Sequence, residues 1–143
     1  MKIIPLSQDE GARTGFNTVI NLKVTGSGTG DIATVGAILN ITAVPIGTVC
    51  QAAGVDVKTA FTGMTTPTLD VGFANTGTGA TNIVSATSLS AATFTVANPT
   101  AAVTTASQFL TVRNNGSVAV ASAGEANVYL RLVDLTAGRN SFV

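Results

Sequence analysis

Residues 124–135, GEANVYLRLVDL, form the most regularly patterned stretch of the sequence. The even-numbered positions from 126 to 132 are apolar, and the odd-numbered positions from 125 to 131 are polar or amphipathic. Because successive side chains of a β-strand point to opposite faces, this alternation predicts a strand with one buried face. Asn127, Tyr129 and Arg131 then form an outward row that a partner could contact. Tyrosine and arginine are enriched at binding hot spots, so the row is a candidate interface; ordinary contacts within one sheet are the alternative.

The same alternation occurs in FNTVINLKV (16–24), VDVKTAF (55–61) and PTLDVGF (67–73). Asp56, Lys58 and Asp70 fall opposite the apolar positions, so we expect these charges to face water. The pattern fades between residues 74 and 105. About eight strands with glycine-rich turns and no convincing helix predict an all-β, single-domain fold: an antiparallel two-sheet sandwich of jelly-roll type.

The region from residue 108 to residue 135 is interpreted as three successive antiparallel strands. A two-residue turn at Asn115 and Gly116 would place Val118 on the wrong face. A three-residue loop at 114–116, with glycine in the left-handed conformation, places Val118 opposite Val112. We therefore predict a hairpin at this point.

The chain of 143 residues suits one domain, which we place at residues 16–143 after an N-terminal arm at residues 1–15. The arm holds the candidate contact residues Lys2, Ile3, Ile4 and Leu6. The alternative is a short edge strand folded onto its own sandwich. The apolar patch before Pro5 is too short for the hydrophobic region of a secretion signal, so none is expected.

Charge is scarce and balanced, with seven basic and seven acidic residues that make up 10% of the chain. No run of like charge is present, which argues against a nucleic-acid partner. The uncharged segment at residues 32–55 contains Asn40, Pro45 and many β-branched residues, which argues against a membrane helix. A second uncharged segment, 71–112, would invite aggregation on a monomer, so we expect a homo-oligomer, most simply a trimer.

No residue pattern indicates catalysis. The sequence has no histidine, which removes the commonest general base and the usual zinc ligands. The acidic residues are scattered, although Asp56 and Asp70 could be neighbours on adjacent strands. Cys50 lies in an apolar stretch and is expected to be a small buried hydrophobe. The sequence therefore predicts a protein that is not an enzyme and has no cofactor or metal site.

The segments VDVKTAF, PTLDVGF and GEANVYLRLVDL, with their Thr/Gly turns, resemble the small β-rich virion proteins of tailed bacteriophages, especially head decoration or cement proteins. The resemblance extends from Ile32 to Leu135 and is one of strand and turn pattern. It implies a trimeric sandwich, made in the host cytoplasm, that sits on the capsid surface of the virion. There it would clamp neighbouring subunits of the major capsid protein.

A receptor- or glycan-binding module of a tail fibre or surface adhesin is the alternative function, since it would use the same sandwich. Such a module would present aromatic side chains for sugar stacking. The chain has no tryptophan and one tyrosine, which favours the structural role.

Overall fold

The computed structural model describes residues 2–5, 17–26, 31–34, 36–75, 78–97, 99, 104, 106–116 and 120–135. These residues form nine β-strands and no helix, so the described segments include no helix that could cross a membrane. The strands are β1 (Lys2–Pro5), β2 (Asn17–Thr25), β3 (Ile38–Val44), β4 (Thr48–Thr62), β5 (Thr68–Ala74), β6 (Val84–Ser88), β7 (Phe94–Ala97), β8 (Gln108–Asn114) and β9 (Ala123–Asp134).

The strands pair in a nested order. β2 pairs with β9, β3 with β8, β4 with β7, and β5 with β6, each antiparallel. Such nesting describes a long two-stranded ribbon wound on itself, which is the jelly-roll arrangement. Further pairing of β4 with β9 and of β5 with β8 joins the ribbon into sheets. One sheet has the order β1-β2-β9-β4-β7 and the other β3-β8-β5-β6, which confirms the predicted all-β sandwich.

One hydrophobic core lies between the two sheets and takes side chains from both. The middle strand of the five-stranded sheet, β9, contributes four side chains that are at most 2% exposed: Ala126, Val128, Leu130 and Leu132. β2 and β4 flank it with further apolar side chains, among them Ile20 and Val55. The predicted inward face of residues 124–135 is therefore confirmed.

The predicted hairpin after residue 113 is wrong. β8 is paired with β3 on one side and with β5 on the other, so no strand after residue 116 forms a hairpin with it, and the next strand, β9, lies in the other sheet. Asn114 anchors this crossing because its buried Nδ2 donates to the Ile32 carbonyl at 2.6 Å, while its Oδ1 accepts from the Gly116 N–H at 2.9 Å. Val118 lies outside the described residues, and Val120 forms an isolated bridge with Thr34.

The expectation that Asp70 faces water is also wrong. Its side chain does point away from the core side of β5, as the alternation required, but the residue is only 1% exposed. The connection between β5 and β6 folds back over this face and removes it from solvent, so that β5 is buried on both sides from Leu69 to Ala74. Alternation along a strand predicts which face a residue takes, and not what lies over that face.

Candidate interaction surface

The row predicted from the sequence lies on the outer face of the five-stranded sheet. Asn127 and Tyr129 are half-buried and Arg131 is exposed. On one side their cross-strand neighbours belong to β2, and on the other side to β4, where Gly54 lies opposite Tyr129 and Ala52 opposite Arg131. The row therefore occupies the middle of a sheet face, with strands on both sides.

A shallow apolar depression adjoins this row. Its floor is low because Ala52 and Gly54 bring little or no side chain to the outer face of β4. Around it stand Val19, Tyr129, Arg131 and Phe94, and its volume is about 220 Å³. Phe94 leans over the floor, since a Cβ placed on Gly54 would come within 3.0 Å of its Cζ.

Exposed apolar side chains border the depression on β7, the last strand on this side of the sheet as described. Phe94 is 59% exposed and Val96 is 68% exposed. Both point to the outer face, opposite Asp56 and Gly54 of β4. Large apolar side chains this exposed on an edge strand invite association with another chain.

The sequence interpretation missed this part of the surface, because residues 94–97 lie in the stretch where alternation fades. The only signal was the four-residue alternation FTVA.

Four charges at the other end of the same face are already paired. Lys23 Nζ lies 3.0 Å from Glu125 Oε2, and Lys58 Nζ lies 2.5 Å from Asp56 Oδ2. The hydrogen bond that Lys58 donates to the Asp56 carboxylate, together with the negative charge of that carboxylate, raises the pKa of Lys58. Within the described part of the chain, Arg131 has no carboxylate within ion-pair distance. As far as its residues are described, the face thus has an end with paired charges and an apolar end where Arg131 has no carboxylate partner.

On the four-stranded sheet, by contrast, the chain itself covers the outer face at β5. Asp70 Oδ2 accepts a hydrogen bond from Arg113 at 2.6 Å, and Asp70 Oδ1 accepts one from the Ala86 N–H at 2.7 Å. Beside this pair, Gly72 lies so close to Ala80 and to the Asn82 amide that a Cβ would clash with both. The Asn82 Oδ1 also accepts from the Phe73 N–H at 2.9 Å.

The other sequence-predicted residues lie apart from this surface or outside the described residues. Lys2, Ile3 and Ile4 belong to β1, which pairs with β2 at the far edge of the same sheet, whereas Leu6 lies outside the described residues. This pairing is the arrangement of the alternative in which the start of the chain folds onto its own sandwich.

In the described part of the chain, the residues considered for chemistry from the sequence do not come together. Among the described residues, no three His, Cys, Asp or Glu side chains approach one another closely enough to hold a metal. Asp56 and Asp70 lie in different sheets, so they are not neighbours on adjacent strands. Cys50 is 3% exposed, as expected for a small buried hydrophobe, and burial raises the pKa of its thiol to about 11. The outer face of the five-stranded sheet instead carries exposed apolar side chains beside a shallow depression.

Comparison with known proteins found similarity in structure alone. No family model matches the sequence, and no curated protein matches it. Among solved structures, a chain in the capsid of Ralstonia phage GP4 is 20% identical, with a TM-score of 0.61 over 85% of this chain and 86% of that chain. A chain of the cyanophage Pam1 capsid asymmetric unit is 17% identical, with a TM-score of 0.57 over 84% and 86%.

A third similar chain comes from the acidic stable capsid structure of Helicobacter pylori bacteriophage KHP30. It is 11% identical, with a TM-score of 0.50 over 82% of this chain and 93% of that chain. At such identities the similarity concerns the fold, and a fold by itself does not specify a function. The chain therefore shares its two-sheet sandwich fold with chains of three bacteriophage capsid structures.

Proposed function

We propose that this protein is a non-enzymatic structural component of a bacteriophage virion that binds the outside of the capsid and stabilises it by clamping neighbouring major capsid subunits. The observation that carries the proposal is the similarity to capsid-structure chains, which extends over 82% or more of this chain and 86% or more of each of those chains. The match thus covers nearly the whole of both folds, as expected when the complete sandwich serves the same role.

The outer face of the five-stranded sheet supports this proposal as the contact surface. Interface cores are poor in charge and rich in aromatic side chains and arginine. The apolar end of the face has this composition, with Phe94, Val96, Tyr129 and Arg131 close together. The opposite outer face offers less, because the chain itself covers β5 there.

The N-terminal segment is proposed as a second contact, and a trimer as the assembled state. β1 is at the edge of the same sheet, so a partner that binds this edge would meet Lys2, Ile3 and Ile4. Leu6 follows them in the sequence and is proposed as part of the same contact. Deletion of residues 2–10 tests the contact: loss of capsid binding with an unchanged melting temperature supports it, and loss of folding contradicts it. Sedimentation equilibrium tests the trimer.

The function itself is tested on particles. Capsids assembled with and without this protein are heated and are diluted into low salt, and the fraction that stays intact is counted by electron microscopy. We expect particles that carry the protein to survive conditions that break the others. Equal survival of both preparations, or labelled protein found only on tail fibres, would contradict the proposal.

A further inference from the structure

The depression beside Arg131 is of a size to hold one side chain of a partner protein. Small-molecule pockets usually enclose about 300–1,000 Å³. The depression is smaller, at about 220 Å³, and it is shallow. Its lining is mainly apolar, with Phe94 on one side and Val19 on the other. An apolar side chain from a partner would fill it, whereas a sugar would leave its hydroxyl groups largely without hydrogen-bond partners there.

Arg131 adds a charge requirement to this shape requirement. Its cross-strand neighbours are Val19 and Ala52, so no acidic residue stands directly beside it in the sheet. On the same face, Lys23 and Lys58 are each neutralised by a carboxylate, but Arg131 is not, among the residues described. A guanidinium group at the rim of an apolar depression is complementary to a carboxylate, to which it can donate two parallel hydrogen bonds.

We infer that this site binds a segment of a partner protein that places an apolar side chain over Ala52 and Gly54 and a carboxylate on Arg131. The inference rests on the proposed function, which makes the major capsid protein the partner that carries this segment. Tyr129 lies between the depression and the charged end of the face, and its side chain lines the depression on that side. The paired charges around Lys23 and Lys58 form the polar rim of the contact.

The experiment measures binding of the purified protein to capsids assembled without it, for wild type and for variants of the site. Arg131→Glu reverses the charge and should weaken binding by at least about 30-fold, the loss typical of a hot-spot residue. Arg131→Gln should weaken it by about 10-fold, and Arg131→Lys by less, since the charge remains. Gly54→Val places a side chain in the depression, so it should weaken binding without changing the net charge of the protein.

Ala43→Glu is the matched control for Arg131→Gln. It changes net charge by the same amount on an exposed residue of the other sheet, and it should bind as wild type does. Circular dichroism and melting temperature verify that each variant is folded. Because Arg131 is exposed, its variants remain informative even where Gly54→Val disturbs Phe94. Raising the salt concentration should weaken wild-type binding and should reduce the difference between wild type and Arg131→Gln.

The outcomes separate the inference from the proposed function. If the wild-type protein does not bind capsids, the proposed function fails, and the inference built on it fails with it. If the wild type binds but the Arg131 and Gly54 variants bind equally well, the inference alone is overturned. It is also overturned if these variants change self-association and not capsid binding, because the occupant is then a second copy of this chain. If the wild-type protein binds a glycan array and the Arg131 and Gly54 variants lose that binding, the occupant is a sugar and the inference is equally overturned.

Discussion

The outer faces of the two sheets differ in how far the chain itself covers them. Over β5, the connection to β6 covers the four-stranded sheet, and the charge on that face is buried in the Asp70–Arg113 pair. On the five-stranded sheet, charges stay at the surface in exposed pairs, and Phe94 and Val96 remain open to solvent. The chain thus covers one outer face by itself, whereas the apolar end of the other face stays open to solvent among the described residues.

The largest expected effect comes from breaking the covered ion pair. Arg113→Met leaves the Asp70 carboxylate fully buried without its cation, which should lower the free energy of unfolding by about 3 kcal/mol. Lys23→Met breaks an exposed pair on the other face and should cost less than about 1 kcal/mol. Urea unfolding measures both. Similar losses for the two variants would mean that the covered face is not sealed from water.

A matched pair of glycines gives the next contrast. Gly72→Ala places a methyl group against Ala80 and the Asn82 amide, and such overpacking should cost about 2 kcal/mol. In Gly54→Ala the one tight contact of the new methyl group is with the far end of the exposed Phe94 ring at 3.0 Å, so the cost should stay below about 1 kcal/mol. Thermal unfolding of the two variants tests the comparison. An equal drop in melting temperature would show that Phe94 is held as firmly as the covering connection.

The pH dependence of stability and the thiol reactivity of Cys50 report how well the core beneath the uncovered face is shielded from water. Burial raises the pKa of its thiol from 9.0 to about 11, so the folded state resists ionisation that the unfolded state allows. Its contribution to stability is therefore complete below about pH 9 and is lost as the pH rises toward 11. Urea unfolding of wild type and Cys50→Ala across this range isolates the effect. Rapid reaction with a thiol reagent at pH 8 would instead show that the core opens readily.

The smallest effect on stability is expected at the exposed apolar residues. Phe94→Ser and Val96→Ser remove side chains that are mostly in solvent, and each should change the free energy of unfolding by no more than about 0.5 kcal/mol. The same variants should improve solubility and weaken capsid binding. A loss of several kcal/mol, measured by urea unfolding, would show that these residues belong to the fold and not to a contact surface.

The sequence allowed the fold class and one half of the site to be predicted. The alternation at residues 126–132 depends only on local geometry, so it correctly predicted the buried face of β9 and the outward position of Tyr129. The burial of Asp70 depends on Arg113, 43 residues away, and on a connection that folds back over β5. No local pattern contains that information. The failed hairpin at residues 114–116 has the same cause, because a turn that suits a hairpin can also lead to the other sheet.

Phe94 and Gly54 were not recognised as part of the site for a related reason. Each is ordinary in its own segment, and only the pairing of β4 with β7 places the ring over the glycine. The candidate surface was therefore predictable along one strand but not across the sheet.

The nested pairing of strands also affects how the protein is made. β9 lies between β2 and β4, and it joins Ile20 to Leu130, residues more than a hundred positions apart. Contacts this distant in sequence form slowly, because a long loop must close before they contribute. During synthesis on the ribosome, β2 and β4 cannot form their hydrogen bonds with β9 until residues 123–134 have emerged. Throughout synthesis the chain therefore presents unpaired apolar strands, and we expect its yield in cells to depend on chaperones and on temperature more than its final stability suggests.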